Sequence, residues 1–203
     1  MNLTENYRLT SLKRVKKIPT GLDAFVYRLV GKFKERSSVR RKLLRTARKI
    51  DAMGKSFASL EASELKKRLA DIREKFKRPV KDDVLAEAFA LVQEVVLRVL
   101  GYRPYVEQIA GALALYNGYI AEMSTGEGKT VTAAMCGVVR GWSGRPCHVI
   151  TANDYLASRD AQIMGQLYRF CGVSVGAVTG AMKPPERREG YADRKSTRLN
   201  SSH

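Results

Sequence analysis

The sequence predicts an α/β domain with parallel strands, preceded by an all-helical, basic N-terminal region. Amphipathic stripes at helical spacing fill the first half, whereas short β-branched or apolar runs alternate with helical stretches from about Tyr119 onward. Charge is the third observation. The net charge is +17, from 37 Lys+Arg against 20 Asp+Glu. Residues 1–49 hold 15 of those basic side chains and 3 acidic ones, while 50–182 are close to neutral with 16 and 14. An anionic partner would therefore meet the N-terminal arm first.

The 203 residues sit between one and two domains on a prior of roughly 100–200 residues per domain. A hydrophobic fraction of 44% with 28% charged residues is that of a globular chain. No apolar run is long enough to cross a bilayer, and the N-terminus lacks the apolar core and cleavage site of a secretory signal, so the cytoplasm is the expected compartment. Cys136, Cys147 and Cys171 lack CxxC spacing and a nearby histidine, which disfavours both a disulfide framework and a zinc site. They read as small apolar residues of a reduced protein.

In the first segment, Ile18-Pro19-Thr20-Gly21 punctuates the chain. Leu22, Phe25, Val26, Leu29, Val30 and Phe33 then recur at helical spacing, with Arg28, Lys32, Lys34 and Arg36 largely elsewhere. This basic amphipathic helix can lie in an anionic membrane interface or dock its stripe on the following domain. Nucleic-acid binding is not expected, because the charge lacks the interleaved aromatics of a base-stacking platform.

A second helix is predicted over 38–53, with Val39, Leu43, Ala47 and Ile50 on one face and Gly54 just past its end. A third covers 62–77 through Leu65, Leu69, Ile72 and Phe76, and stops before Pro79. A fourth starts after Asp82 or Asp83 as N-cap, carries Leu85, Phe89, Val92, Val96 and Val99, and is closed by Gly101. Beyond it the expected order is strand 119–123, helix 129–140, strand 147–151, helix 157–170 and strand 173–178, with helices on both sheet faces.

The residues that carry chemistry are Met123-Ser124-Thr125-Gly126-Glu127-Gly128-Lys129-Thr130, between a predicted strand and a predicted helix. The Gly-Lys-Thr end matches a P-loop, although Met123 stands where the usual pattern G-x-x-x-x-G-K-[ST] has its first glycine. Gly126 and Gly128 permit turns closed to residues with a Cβ, so that successive N–H groups can converge on phosphate oxygens at a helix N-terminus. Lys129 would supply a cation for the β- and γ-phosphates, and the Thr130 hydroxyl a ligand for Mg²⁺. Glu127 is unusual there, since a carboxylate repels phosphate, and must point away or toward a cation.

The octapeptide resembles the phosphate loop of the SecA family, the bacterial preprotein translocase motors, in which an acidic residue occupies the same loop position. Three flanking stretches agree. Arg103-Pro104-Tyr105-Val106-Glu107-Gln108 is similar to the family's adenine-recognition segment, Val149-Ile150-Thr151-Ala152-Asn153-Asp154-Tyr155-Leu156-Ala157-Ser158-Arg159-Asp160 to its second motor motif, and Leu85-Ala86-Glu87-Ala88-Phe89-Ala90 with Arg98 to the helix before the nucleotide site. The resemblance covers about 40–192. It implies a truncated RecA-like P-loop domain binding ATP and Mg²⁺. Tyr105 and Gln108 would hold adenine, Thr125, Gly126, Glu127, Gly128, Lys129 and Thr130 the phosphates, and Thr130 the metal. A Gln amide offers both a donor and an acceptor to the adenine edge. Asn153 and Asp154 would start the next helix and couple nucleotide state to polypeptide movement.

The implied organisation is a basic arm over 1–37, a helical entry over 38–101, a partial nucleotide-binding domain over 102–193, and a polar, nonperiodic tail over 194–203 that resembles no part of the family. The family continues instead into a strand and an acidic motif that positions Mg²⁺ and water, so no catalytic residue is assignable and little hydrolysis is expected from this chain alone. Implied partners are preproteins, a SecYEG-type channel and an anionic membrane surface, with the protein cytoplasmic and peripheral at the inner face of the membrane. The alternatives are part of a superfamily 2 nucleic-acid helicase, to which salt-sensitive RNA affinity would point, and a non-catalytic membrane-surface or adaptor module.

Overall fold

The computed structural model describes residues 21, 22, 24–26, 38–144, 147–192 and 196–201. The N-terminal arm, with the amphipathic helix expected over 22–33, lies outside them apart from 21, 22 and 24–26. Met1–Arg41 and Lys42–His203 form separate compact units. The second unit contains the sheet and the helices packed on it.

Helix α1 (Ser38–Ser56) buries Ala47, Ile50 and Gly54. It runs past its expected end because Gly54 is a contact point rather than a stop. A Cβ there would collide with the Gln93 side-chain oxygen and press on Arg103. α2 (Ala62–Lys75) buries the expected Leu65, Leu69 and Ile72, and Phe76, its C-cap, meets Trp142 edge-on with ring centroids 5.6 Å apart.

α3 (Asp82–Leu100) is the central helix, buried continuously from Ala88 to Val96. Its N-cap is Lys81 rather than either aspartate. Asp82 and Asp83 fall in the first turn, where carboxylates complement the exposed N–H groups. Gly101 ends it in the left-handed region, φ 81°, as expected.

Two polar residues inside α3 fasten the entry region. Glu94, 2% exposed, takes Arg98 on one oxygen at 2.8 Å and Arg103 on the other at 2.7 Å. Arg98 also donates to the Phe57 and Leu60 carbonyls, so one buried carboxylate ties α3 to the loop after α1 and to the segment after itself. Gln93 donates to Asp51 and to the Pro104 carbonyl.

α4 (Val106–Tyr116) was not expected from the sequence. α5 (Lys129–Gly141) follows the loop and packs against α4, and Gly111 allows this, since a Cβ there would stand 3.0 Å from the Thr132 methyl. Between them, 119–123 is not a strand. A strand exists only through a ladder with a neighbour, and this segment pairs with none in the sheet.

The sheet comprises β1 (Cys147–Thr151), β2 (Ser174–Val178) and β3 (Ser196–Ser201), in the order β1-β3-β2 with both pairings parallel. Residues 196–201, expected to belong to an unmatched polar tail, thus form the middle strand, with Cys147 opposite Thr197 and Ser174 opposite Ser196. Ladder bonds use backbone groups alone, so a polar sequence with no apolar alternation can fill a gap between two strands. α6 (Asp154–Phe170) crosses over between β1 and β2 and packs on the sheet, and α7 (Pro184–Ala192) precedes β3. Exposure alternates along β1, with Ile150 68% exposed. Helices were expected on both sheet faces; the Ile150 side of β1 lacks that cover among the described residues.

The three cysteines are free thiols. Burial pushes Cys136 up to about 12 and raises Cys147 and Cys171. The Cys171 carbonyl accepts the Trp142 indole N–H at 2.9 Å.

Candidate functional site

The candidate site is the loop 123–130, held between α4 and α5. Its shape begins with two glycines in conformations that a side chain disfavours: Gly126 at φ 89° and Gly128 at φ 82°, ψ 39°. Gly128 is the N-cap of α5, and its carbonyl accepts the first helical bond from Thr132 at 3.1 Å. The N–H groups of Lys129, Thr130 and Val131, in the first turn, have no carbonyl one turn back within the helix. They form the positive end of its dipole. Thr125 and Lys129 are exposed and Thr130 is half-buried. Among the described residues Lys129 makes no ion pair.

Glu127 turns back into the loop and, among the described residues, pairs with no cation. Its carboxylate accepts the Ser124 N–H at 2.9 Å, while its own N–H donates to the Ser124 carbonyl at 3.3 Å. The loop is thereby closed across its base by a reciprocal pair, with one carboxylate oxygen held by a backbone donor.

Tyr105 and Gln108 lie at the start of α4. Tyr105 is the N-cap, with its ring largely exposed, and its N–H donates to the Gln108 side-chain oxygen at 3.0 Å. The Gln108 amide nitrogen donates to the Glu127 carbonyl at 2.9 Å. This one side chain, nearly buried, connects the helix start to the middle of the loop. A primary amide has two hydrogens and its oxygen two lone pairs, so one donor and one acceptor function remain after these bonds. Gly128 presses directly on the same amide, since a Cβ there would overlap it. The sequence-selected residues Tyr105, Gln108 and 125–130 are therefore brought into one neighbourhood.

Asn153 and Asp154 begin α6 as expected. Asn153 is its N-cap, its side chain accepting the Leu156 N–H at 2.9 Å. Asp154 does something the sequence did not disclose, as both its oxygens approach the Gly180 N–H, at 3.0 and 2.9 Å, tying α6 to the loop after β2. Arg140 was also missed. Its guanidinium lies 4.2 Å from the Tyr116 ring centroid and donates to the Tyr116 carbonyl, joining the far ends of α4 and α5. An arginine at the end of one helix does not advertise its partner when that partner is 24 residues earlier.

The residues present fit a polyphosphate group in kind. The αL glycines, the helix N-terminus and an uncommitted ammonium are the donors such a group requires, and Thr130 offers a hydroxyl for a metal. Among the described residues no three His, Cys, Asp or Glu side chains gather as a metal cage, so any ion there would rest on few protein ligands.

Comparison with known proteins bears on the same region. Residues 28–194 match the SecA DEAD-like domain. The chain is 42% identical over 176 residues to the protein translocase subunit SecA 2 of Magnetococcus marinus, covering 86% of this chain and 27% of that protein. It is 41% identical over 190 residues to protein translocase subunit SecA 2 of Chlorobium chlorochromatii, covering 93% and 29%. To protein translocase subunit SecA of Streptomyces griseus it is 43% identical over 152 residues, covering 74% and 16%. The chain thus spans less than a third of the length of each of these relatives. With a match that extends over most of its residues, the chain belongs to the SecA DEAD-like domain family.

Proposed function

We propose that the chain is the nucleotide-binding part of a SecA-type ATPase that couples ATP hydrolysis to protein translocation across a membrane. One observation carries this reading: the glycine loop at the N-terminus of α5 is tied by Gln108 to the start of α4. A phosphate-facing loop and an adenine-facing amide thus share one hydrogen-bonded unit.

In this reading Gly126 to Thr130 present backbone N–H groups to the phosphates, with Thr125 at the loop's exposed edge. Lys129 swings its ammonium over them, neutralising charge without a fixed geometry. Gln108 offers its remaining donor and acceptor to the adenine edge while Tyr105 supplies an aromatic face. Glu127 stays on the Ser124 N–H, which keeps its negative charge fixed at the base of the loop. Thr130 Oγ1 would hold Mg²⁺, which would offset the charge of the phosphates. These roles are binding and orientation; no proton-accepting base is assigned.

The division into a helical entry over 38–101 and a RecA-like unit over 102–193 belongs to the same proposal, as do preproteins and a SecYEG-type channel as partners. A cytoplasmic location, peripheral at the inner face of the membrane, accompanies them. Among the described residues no helix is long and apolar enough to cross a membrane. The basic composition of residues 1–49 supports contact with an anionic surface.

The test is thermal unfolding of the full chain with MgADP. At about 100 times Kd, ligand linkage stabilises by roughly 2.7 kcal/mol, or about 5–10 °C for a unit of this size. Lys129→Ala is expected to abolish the shift while leaving the ligand-free Tm within about 2 °C, because the side chain is exposed and unpaired. An unchanged shift in Lys129→Ala would remove the loop from nucleotide binding.

A further inference from the structure

A second place in the molecule has the makings of a ligand site. α2, α3, the end of α6 and the turn after it line an open cavity of about 560 Å³, bordered by different residues from the loop 123–130. Its cationic lining is Lys66, Arg73, Arg98 and Arg169, and among the described residues no carboxylate lines it. Arg98 is committed to Glu94 and to main-chain carbonyls. Lys66, Arg73 and Arg169 make no ion pair among the described residues, and Glu74, the acid next to Arg73 in sequence, is engaged by Lys77.

These three side chains lie along the cavity instead of extending freely. Arg73 rests against Gly172, where a Cβ would overlap its guanidinium, and Gly172 sits at φ +67°. Arg169 folds over Gly165, its guanidinium 3.1 Å from where a Cβ would be. Lys66 holds its ammonium 5.7 Å from the Phe170 ring centroid. The floor is apolar, with Leu69 and Cys171 buried there. Three exposed cations lining one cavity with an apolar floor attract an anion, an attraction that solvent and salt weaken. The volume falls within the roughly 300–1,000 Å³ of small-molecule sites. A bare anion would leave the floor unused.

We propose that this cavity binds a phosphate group carried on an apolar body, the phosphate held by the Arg73 and Arg169 guanidiniums and the Lys66 ammonium, the body resting on Leu69, Val99 and Phe170. Two guanidiniums favour phosphate, whose oxygens match their paired donors. Both a soluble phosphate ester and a phospholipid headgroup present this chemistry.

Phenyl phosphate serves as the probe, titrated into the full chain carrying Lys129→Ala, with backbone amide NMR as the readout. Saturable shifts are expected at 66–73 and 165–172, with weaker shifts from inorganic phosphate at the same amides. Arg169→Gln, at an exposed position, is expected to weaken binding roughly fivefold, the order of a solvent-accessible charged hydrogen bond, whereas Arg169→Lys recovers part of the loss. Lys66→Gln is the second variant, read the same way should Arg169→Gln lose its fold. Competition by phosphatidylglycerol vesicles, but not by phosphatidylcholine vesicles, identifies a lipid headgroup as the source, and absence of competition identifies a soluble ester; either agrees with the site. Non-saturable shifts, shifts outside these two segments, or equal affinity in Arg169→Gln and Lys66→Gln would overturn the proposal.

Discussion

Replacing Gly128 by alanine isolates what the loop geometry demands. At φ 82° a Cβ costs about 1–2 kcal/mol by itself. The added methyl group would also occupy the space of the Gln108 amide, forcing it off the Glu127 carbonyl that it reaches at 2.9 Å. Losing that bond adds about 1 kcal/mol. The sum, roughly 2–3 kcal/mol, lowers the Tm by about 4–12 °C for a unit of this size. Gly126→Ala is the internal control: its φ of 89° carries the same backbone cost, but its Cβ meets nothing within 4 Å. Urea unfolding of the two variants is therefore expected to differ by about 1 kcal/mol. In a Gln108→Ala background the Gly128→Ala penalty is expected to fall to that of Gly126→Ala, a coupling within the range found for contacting residues. Equal costs for the two glycines, within about 0.5 kcal/mol, would refute the packing of Gly128 on Gln108.

Glu94→Ala leaves two partly buried arginines without their carboxylate and is expected to cost about 3 kcal/mol or more in chemical denaturation, among the largest single-site losses in the chain. Asn153→Ala removes the Leu156 cap and is expected to cost about 1 kcal/mol. Asp51 has a pKa below its ordinary 3.8: partial burial raises it, but hydrogen bonds from Lys55 and Gln93 and the charges of Lys55 and Arg103 outweigh that. A depressed carboxylate contributes stability that is complete above the unfolded value and disappears as pH falls through the folded one. Tm profiles are therefore expected to show Asp51→Asn losing less stability than the parent chain below about pH 4, with the difference gone if that contact does not form. Iodoacetamide at about pH 8 is expected to label Cys136 and Cys171 far more slowly in the folded chain than in urea, because burial holds both thiols protonated.

Much of the helical scaffold was legible because its stripes follow a strong period. Leu65, Leu69 and Ile72 in α2 and the Gly101 stop of α3 stand where spacing puts them. The failures share a cause, since each depended on a partner distant in sequence. Gly54 reads as a helix terminator until Gln93 and Arg103 are brought against it. Residues 119–123 have strand composition but no ladder, whereas 196–201 have little strand character and acquire two. α4 is hidden in the sequence because Ile109 to Leu115 is apolar on every face, which erases the period, and because Tyr105 and Gln108, which start it, read equally well as ligand contacts. At the candidate site the glycines and Lys129 were visible from local pattern alone. The return of Glu127 to Ser124 and the bridge from Gln108 to Glu127 were not, because hydrogen-bond partners are selected by backbone geometry that composition does not encode. Lys66 and Arg73 lie two turns apart on α2, but Arg169, about 100 residues later, lines the same cavity only because α2 and α6 both pack on α3.

The central claim is that backbone donors from Gly126 to Thr130 receive the phosphates of an adenine nucleotide. Backbone amide NMR of the full chain during titration with MgADP tests it at the level of single residues. The expected result is saturable shifts at Gly126, Glu127, Gly128, Lys129 and Thr130, together with the Gln108 side-chain amide, all absent in Lys129→Ala. Saturation that leaves those amides in place while others move would contradict it.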